Sequence, residues 1–216
     1  MVKAGRKSRA PGRSGAAPTR DRIVDAAIET LKSHGFAGAS AREIARTGGF
    51  NQALIFYHFG SISDLLLAAL GETSSRRMES YRAEVEQART LPELVEAAAR
   101  IYREDLESGH IKVLAELIAA SSSFPEMGPR ISELVEPWET FARETIERAL
   151  AGSPLAALLP PDELAHAVVA LYLGMELLTH LDRDRSGVQA LFQRASTLAP
   201  VLSALLPGAP ERGDPR

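Results

Sequence analysis

Gly48-Gly49 stands between two stretches that each hold only a short helix. On its N-terminal side, Ser40 and Glu43 have the spacing of a capping box, in which each side chain bonds the other residue's backbone N–H. The helix they start, over about 41–47, is barely two turns long. On the other side, Asn51 can cap a further helix running to about Phe59. The paired glycines between them allow a turn that residues with a Cβ would resist. Two short helices joined by a glycine turn make a helix-turn-helix.

The rest of the chain reads as helix almost without relief. Thr19 can cap a helix with Ile23, Ala27 and Leu31 on one face; Gly35 ends it, and Phe36 can pack back over that end. After Gly60-Ser61 a long helix is expected over about 62–88, apolar at its start and charged later. Thr90-Leu91-Pro92 restarts a helix, with Pro92 in its first turn, and Gly109 breaks it. Another is expected over 110–122, with Val113, Leu114, Leu117 and Ile118 inward. Pro125, Pro129 and Pro137 punctuate the next stretch before a helix ending near Leu150. Pro160-Pro161-Asp162 opens a helix to about Leu181, and Ser186 opens the last, to about Leu205. Pro200 is expected to kink that final helix or end it early. No alternating β pattern of useful length and no internal repeat is present. The expected class is all-α, with about nine helices.

Charge divides the chain. Residues 1–60 carry ten basic side chains against four acidic ones, a balance of +6, so a total of −3 leaves −9 for the remainder. A basic head on an acidic body points to a polyanion partner for the head. Residues 1–18 mix Gly, Ser, Pro and Ala with Lys3, Arg6, Lys7, Arg9 and Arg13, and are expected to be a disordered arm. Residues 207–216 are expected to be a disordered tail. Cysteine is absent, which excludes disulfides, thiolate metal sites and cysteine nucleophiles. No apolar run is long enough to span a bilayer, and none follows the charged N-terminus as a secretory signal would require. The expectation is a soluble, cytoplasmic protein with no membrane partner.

A family resemblance rests on three runs: Ala41-Arg42-Glu43-Ile44-Ala45, Gly48-Gly49-Phe50-Asn51 and Ile55-Phe56-Tyr57-His58-Phe59, followed by Asp64-Leu65-Leu66. Together they resemble the signature of TetR-type transcriptional regulators, and the likeness covers roughly residues 19–70. It implies a three-helix DNA-binding domain over 19–66 and a helical ligand-binding and dimerisation domain over 67–206. The residues agree with it. Ile55 and Phe59, four apart, can pack inward with Ile44, Ala45 and Phe50. Arg42, Gln52, Ala53, Leu54, Phe56, Tyr57 and His58 are then the candidate DNA-binding residues. Gln52 can bond adenine N6 and N7, while Ala53 and Leu54 can touch thymine methyls. Tyr57 and His58 lie where the family contacts phosphates, and Arg42 can reach the backbone. Arg46 is a weaker candidate. Ile62 departs from the lysine that the family places at the start of helix four, and Leu54 from a small hydroxyl residue. Both departures shift weight to the arm, which either follows DNA or merely solubilises the head.

The resemblance further implies a homodimer, a palindromic operator and a small-molecule inducer, largely apolar and of no specified identity. Tyr102, Leu106, Leu114, Leu117, Ile118, Phe124, Trp138, Phe141, Tyr172 and Met175 are the candidate lining of a ligand cavity; each is also an acceptable core residue. Glu116, Glu176 and His180 are polar groups that either orient a ligand or, for the glutamates, face solvent. Val168, Leu171, Leu178, Leu181, Leu191, Leu198 and Leu202 give the last two helices wide apolar faces suited to a four-helix bundle between subunits. A displaced fourth helix would change the spacing of the recognition helices and so DNA affinity. No metal-ligand pairing among the histidines, phosphate loop or nucleophile elbow recommends an enzyme, and no cofactor is expected. The alternative is a helical interaction protein that has the DNA-binding head but answers to no ligand.

Overall fold

The computed structural model describes residues 19–108, 110–152, 159–181 and 186–205. Both the basic arm and the expected C-terminal tail lie outside them, as do Gly109 and the His180 side chain. Every regular element among the described residues is a helix: α1 Thr19–Gly38, α2 Ala41–Gly48, α3 Ala53–Phe59, α4 Ile62–Gln87, α5 Leu91–Ser108, α6 His110–Ser121, α7 Met127–Leu150, α8 Pro161–Leu181 and α9 Ser186–Leu205. None of them alone is long and apolar enough to cross a membrane.

Two apolar clusters organise the chain. The first joins Ile23, Ala27 and Leu31 of α1, Ile44 of α2, Ile55 of α3 and Leu65, Leu66 and Leu70 of α4. It continues into the body through Val113 and Leu117 of α6 and Met127 and Ile131 of α7. The expected division at 66/67 therefore falls inside α4, within a continuous core. The second cluster gathers Tyr81, Val85 and Ile101, with Leu94, Trp138, Phe141 and Tyr172 against them.

Local chemistry accounts for most of the helix ends, with four departures from expectation. Gly35 does break α1, at φ 68°, but the chain resumes helical form to Gly38. The capping box at α2 is only half made: Ser40 Oγ accepts from the Glu43 amide at 3.3 Å, while the Glu43 carboxylate turns to Arg46. A complete box forms instead at α5, where Thr90 Oγ1 accepts the Glu93 amide and Glu93 Oε2 accepts the amides of Arg89 and Thr90. Finally, Pro137 lies inside α7, and α9 runs through Pro200 without ending there. Their neighbours hold these helices together despite the missing N–H.

The end of α1 is gripped by the body. Lys112 Nζ donates to the Lys32 carbonyl at 2.6 Å, and the Phe36 amide donates to Glu116 Oε2 at 2.8 Å. These are the carbonyl and amide that a broken helix leaves unmatched. Glu116 is thus a helix-end partner, not a ligand-orienting group. A Cβ at Gly35 would stand 3.0 Å from its Oε1.

Candidate DNA interface and ligand cavity

The turn between α2 and α3 is as tight as its glycines suggest. Gly49 takes φ 64°, and a Cβ on Gly48 would meet Phe50 at 2.1 Å and the Ala26 methyl at 2.8 Å. Asn51 Oδ1 accepts from the Ala53 amide at 2.9 Å, starting α3. Gln52 sits at the very entrance of the helix and is exposed. Ile55 is fully buried and anchors α3 to the first cluster, with Phe59 half-buried beside it under the Arg20 guanidinium.

This anchoring fixes what α3 presents outward. Tyr57 is 82% exposed and Phe56 50%. Arg42, Ala53 and His58 are exposed as well, and the His58 ring stands edge-on to Tyr57. Leu54 differs: it is half-buried and packs against the first cluster, so its bulk serves the core and only its outer edge remains for a base. Arg42, Arg46, Asn51 and Gln52 flank an open depression between α2 and α3. Arg46 is tied to Glu43, whose carboxyl that bond holds below its ordinary range. Ile62 packs into the first cluster, and Ser61 caps α4 by accepting the Asp64 amide at 3.0 Å.

The body contains a cavity of about 280 Å³, at the small end of the about 300–1,000 Å³ usual for ligand sites. Among the residues expected to line it, Leu114, Trp138, Phe141 and Tyr172 do so. Tyr102, Leu106, Leu117, Ile118 and Met175 do not. Tyr102 is buried elsewhere, its hydroxyl 2.6 Å from Thr179 Oγ1 and 3.3 Å from the Met175 carbonyl. Leu117 belongs to the first cluster, and Ile118 is 39% exposed. Phe124 stacks against Phe36. The unforeseen wall is α4, which contributes Leu70, Ser74, Tyr81 and Val85; α5 adds Leu94, Ile101 and Asp105. The readable signal was Tyr81 and Val85, four apart in a stretch otherwise charged. Trp138 Nε1 donates to Ser74 Oγ at 2.7 Å, linking α7 to α4 across this wall.

One end of the cavity is polar. Arg77 pairs with Asp105, which also accepts from the Tyr172 hydroxyl, and the Tyr81 and Tyr172 hydroxyls lie 3.0 Å apart. Behind this end, Glu176, one turn beyond Tyr172, is fully buried, with the Tyr172 hydroxyl and the Arg77 guanidinium as its polar neighbours. Burial pushes its carboxyl up from 4.5 to about 7, with Tyr172 and Arg77 pulling the other way. Burial, and then Glu176, raises the Tyr172 phenol.

That shift has a measurable consequence. The folded protein holds a proton on Glu176 that the unfolded chain releases between pH 4.5 and about 7. Stability therefore falls as pH rises through that window, by at most about 3 kcal/mol. Glu176→Gln is expected to flatten this slope and to melt above the parent at pH 8. Denaturant midpoints at pH 5 and pH 8 check it; an unchanged slope in the variant refutes it.

An exposed helix set on a helix-turn-helix, joined by α4 to a hollow helical body, defines a DNA-binding transcriptional regulator. Residues 23–69 match the family described as bacterial regulatory proteins, tetR family. The chain is 28% identical over 175 residues to the HTH-type transcriptional regulator BetI of Rhizobium meliloti, covering 79% of this chain and 82% of that one. Its fold is shared with the fatty acid degradation regulator FadR of Bacillus halodurans (TM-score 0.70, 18% identity, 91% and 99% of the two chains). It is shared also with the multidrug-binding protein EbrR complexed with proflavin (TM-score 0.56, 23% identity, 85% and 98%). Residues 23–69 thus carry the helix-turn-helix region of the tetR family, and the curated relatives that the chain resembles are HTH-type transcriptional regulators.

Proposed function

We propose that this regulator is a dimeric repressor of palindromic operators, released from DNA by a small and largely apolar ligand. One observation carries the reading: α4 is built into both sites. Its first turns, Leu65 to Leu70, hold the core on which α3 rests, and its middle supplies Ser74, Tyr81 and Val85 to the cavity wall. A ligand that favours a shifted α4 would move the recognition helix with it, and the coupling free energy would appear as lost DNA affinity.

Residues 19–66 would read the operator through Gln52 and Ala53 at base edges, with Arg42, Tyr57 and His58 on the backbone. Residues 67–206 would hold the ligand and the partner subunit. On α8 and α9, Leu171, Leu178, Leu181, Leu198 and Val201 are each more than half exposed, an apolar face suited to a second copy around a two-fold axis. EbrR's proflavin complex supports small-molecule binding in this architecture. The existence of the cavity favours this reading over a DNA-binding protein that answers to no ligand.

The test is to recover fragments of the source genome on purified protein at about 0.1 M salt, where surface electrostatics are partly screened. An inverted repeat common to the fragments supports the proposal. Fragments with no shared sequence, or a single unrepeated half-site, overturn it.

A further inference from the structure

Burial of Ile55 decides which side chains α3 can offer to a groove. Leu54 turns partly inward and packs against the first cluster, so it is a poor reader of bases. Ala53, Phe56 and Tyr57, spaced by three and four, share the face opposite Ile55, and all three are exposed. Tyr57 has the His58 ring edge-on against it. Phe56 belongs to neither apolar cluster, and half of it meets water. A single exposed ring is ordinary on a protein surface. Here the chemistry of its neighbours gives it a use.

The commonest base-specific contact is a forked or cationic donor on guanine O6 and N7. The sequence has no lysine or arginine between Arg46 and Arg76, so α3 has none to give. Adenine asks for a donor and an acceptor together. Asn51 has its Oδ1 committed to the Ala53 amide and retains only a donor, which leaves Gln52, exposed at the helix entrance, for that task. The rest of the central outward face, Ala53 and Phe56, is hydrocarbon. One base edge in the major groove is hydrocarbon too: the C5-methyl of thymine.

We propose that Phe56 is a base-reading residue, its ring and the adjoining Ala53 methyl packing on thymine C5-methyl groups where α3 crosses each half-site. This rests on α3 entering the major groove. It adds the residue that reads the centre of the half-site and the base that it selects. The thymine contact passes from Leu54, held by the core, to Phe56, which is free to make it. Cytosine, with the same ring edge but no methyl, is refused for lack of contact and not by repulsion.

Deoxyuridine tests this directly, because it pairs as thymidine does and lacks only the methyl. Each thymine of the recovered operator is replaced in turn, in both half-sites, and affinity is measured for the parent and for Phe56→Ala. At one or two positions near the middle of the half-site, the parent is expected to lose about fourfold per methyl, or about 15-fold for the symmetric pair. Phe56→Ala is expected to bind the thymine operator more weakly and to be indifferent to uracil at those positions. Gln52→Ala is expected to stay sensitive there. Phe56 is half exposed, so the variant should fold, and an unchanged melting temperature checks it. A parent indifferent to uracil at every position overturns the inference while leaving the regulator reading intact. So does a Phe56→Ala protein as sensitive as the parent throughout. Failure to recover any operator defeats the regulator reading and takes this inference with it.

Discussion

Replacing Leu178 and Leu181 together by glutamate is expected to leave the protein monomeric and to weaken operator binding by about 10²- to 10⁴-fold. The two side chains are 65% and 79% exposed in the single subunit, so charging them does not disturb its core. In a dimer they would face the partner, and four new carboxylates in an apolar seam cannot be hydrated there. Loss of the partner hurts DNA binding out of proportion to any contact removed. With two linked heads, the second half-site is met at the effective concentration set by the first, and that gain vanishes in a monomer. Sedimentation and a DNA titration on the same sample check both halves. A variant that stays dimeric with full affinity would remove α8 from the proposed interface.

The second large effect belongs to α3. Gln52→Ala with Tyr57→Ala is expected to lower operator affinity on the order of 100-fold, since a good base-edge contact is worth about 1–3 kcal/mol and a dimer uses each residue twice. Taken singly, the two should differ in kind. Gln52→Ala should relax the sequence preference at its own position. Tyr57→Ala should weaken all sequences alike, as loss of a backbone contact does. Both residues are exposed, so melting temperature should hold steady. An affinity unchanged in the double variant would mean that α3 does not enter the groove.

The head was the most legible part of the chain, because its signals are local. Ser40, Gly48-Gly49 and Asn51 act within a few residues of themselves, and Ile55 and Phe59 find the core by simple helical spacing. Even so, Glu43 preferred Arg46 to the Ser40 amide: a strong donor three residues away outbid the backbone. The cavity was legible only in part. Leu114, Trp138, Phe141 and Tyr172 are large and apolar, but so are Leu117 and Ile118, and their assignment to core or surface depends on how α6 lies against α1 and α7. Asp105 escaped notice because nothing in sequence tells a buried acid from a solvated one. Its partner Arg77 sits 28 positions away on another helix. The prolines misled for a similar reason. Pro137 and Pro200 each forfeit one backbone bond, a local penalty that packing of long helices outweighs.

The grip of Lys112 and Glu116 on the frayed end of α1 bears on how such a regulator can be re-engineered. Grafting this head onto a foreign effector domain would strand the Lys32 carbonyl and the Phe36 amide, and would uncover the apolar flank that Val113 and Leu117 shelter. A chimaera would have to carry α6 along with the first four helices. The unit of exchange here is larger than the part that touches the operator.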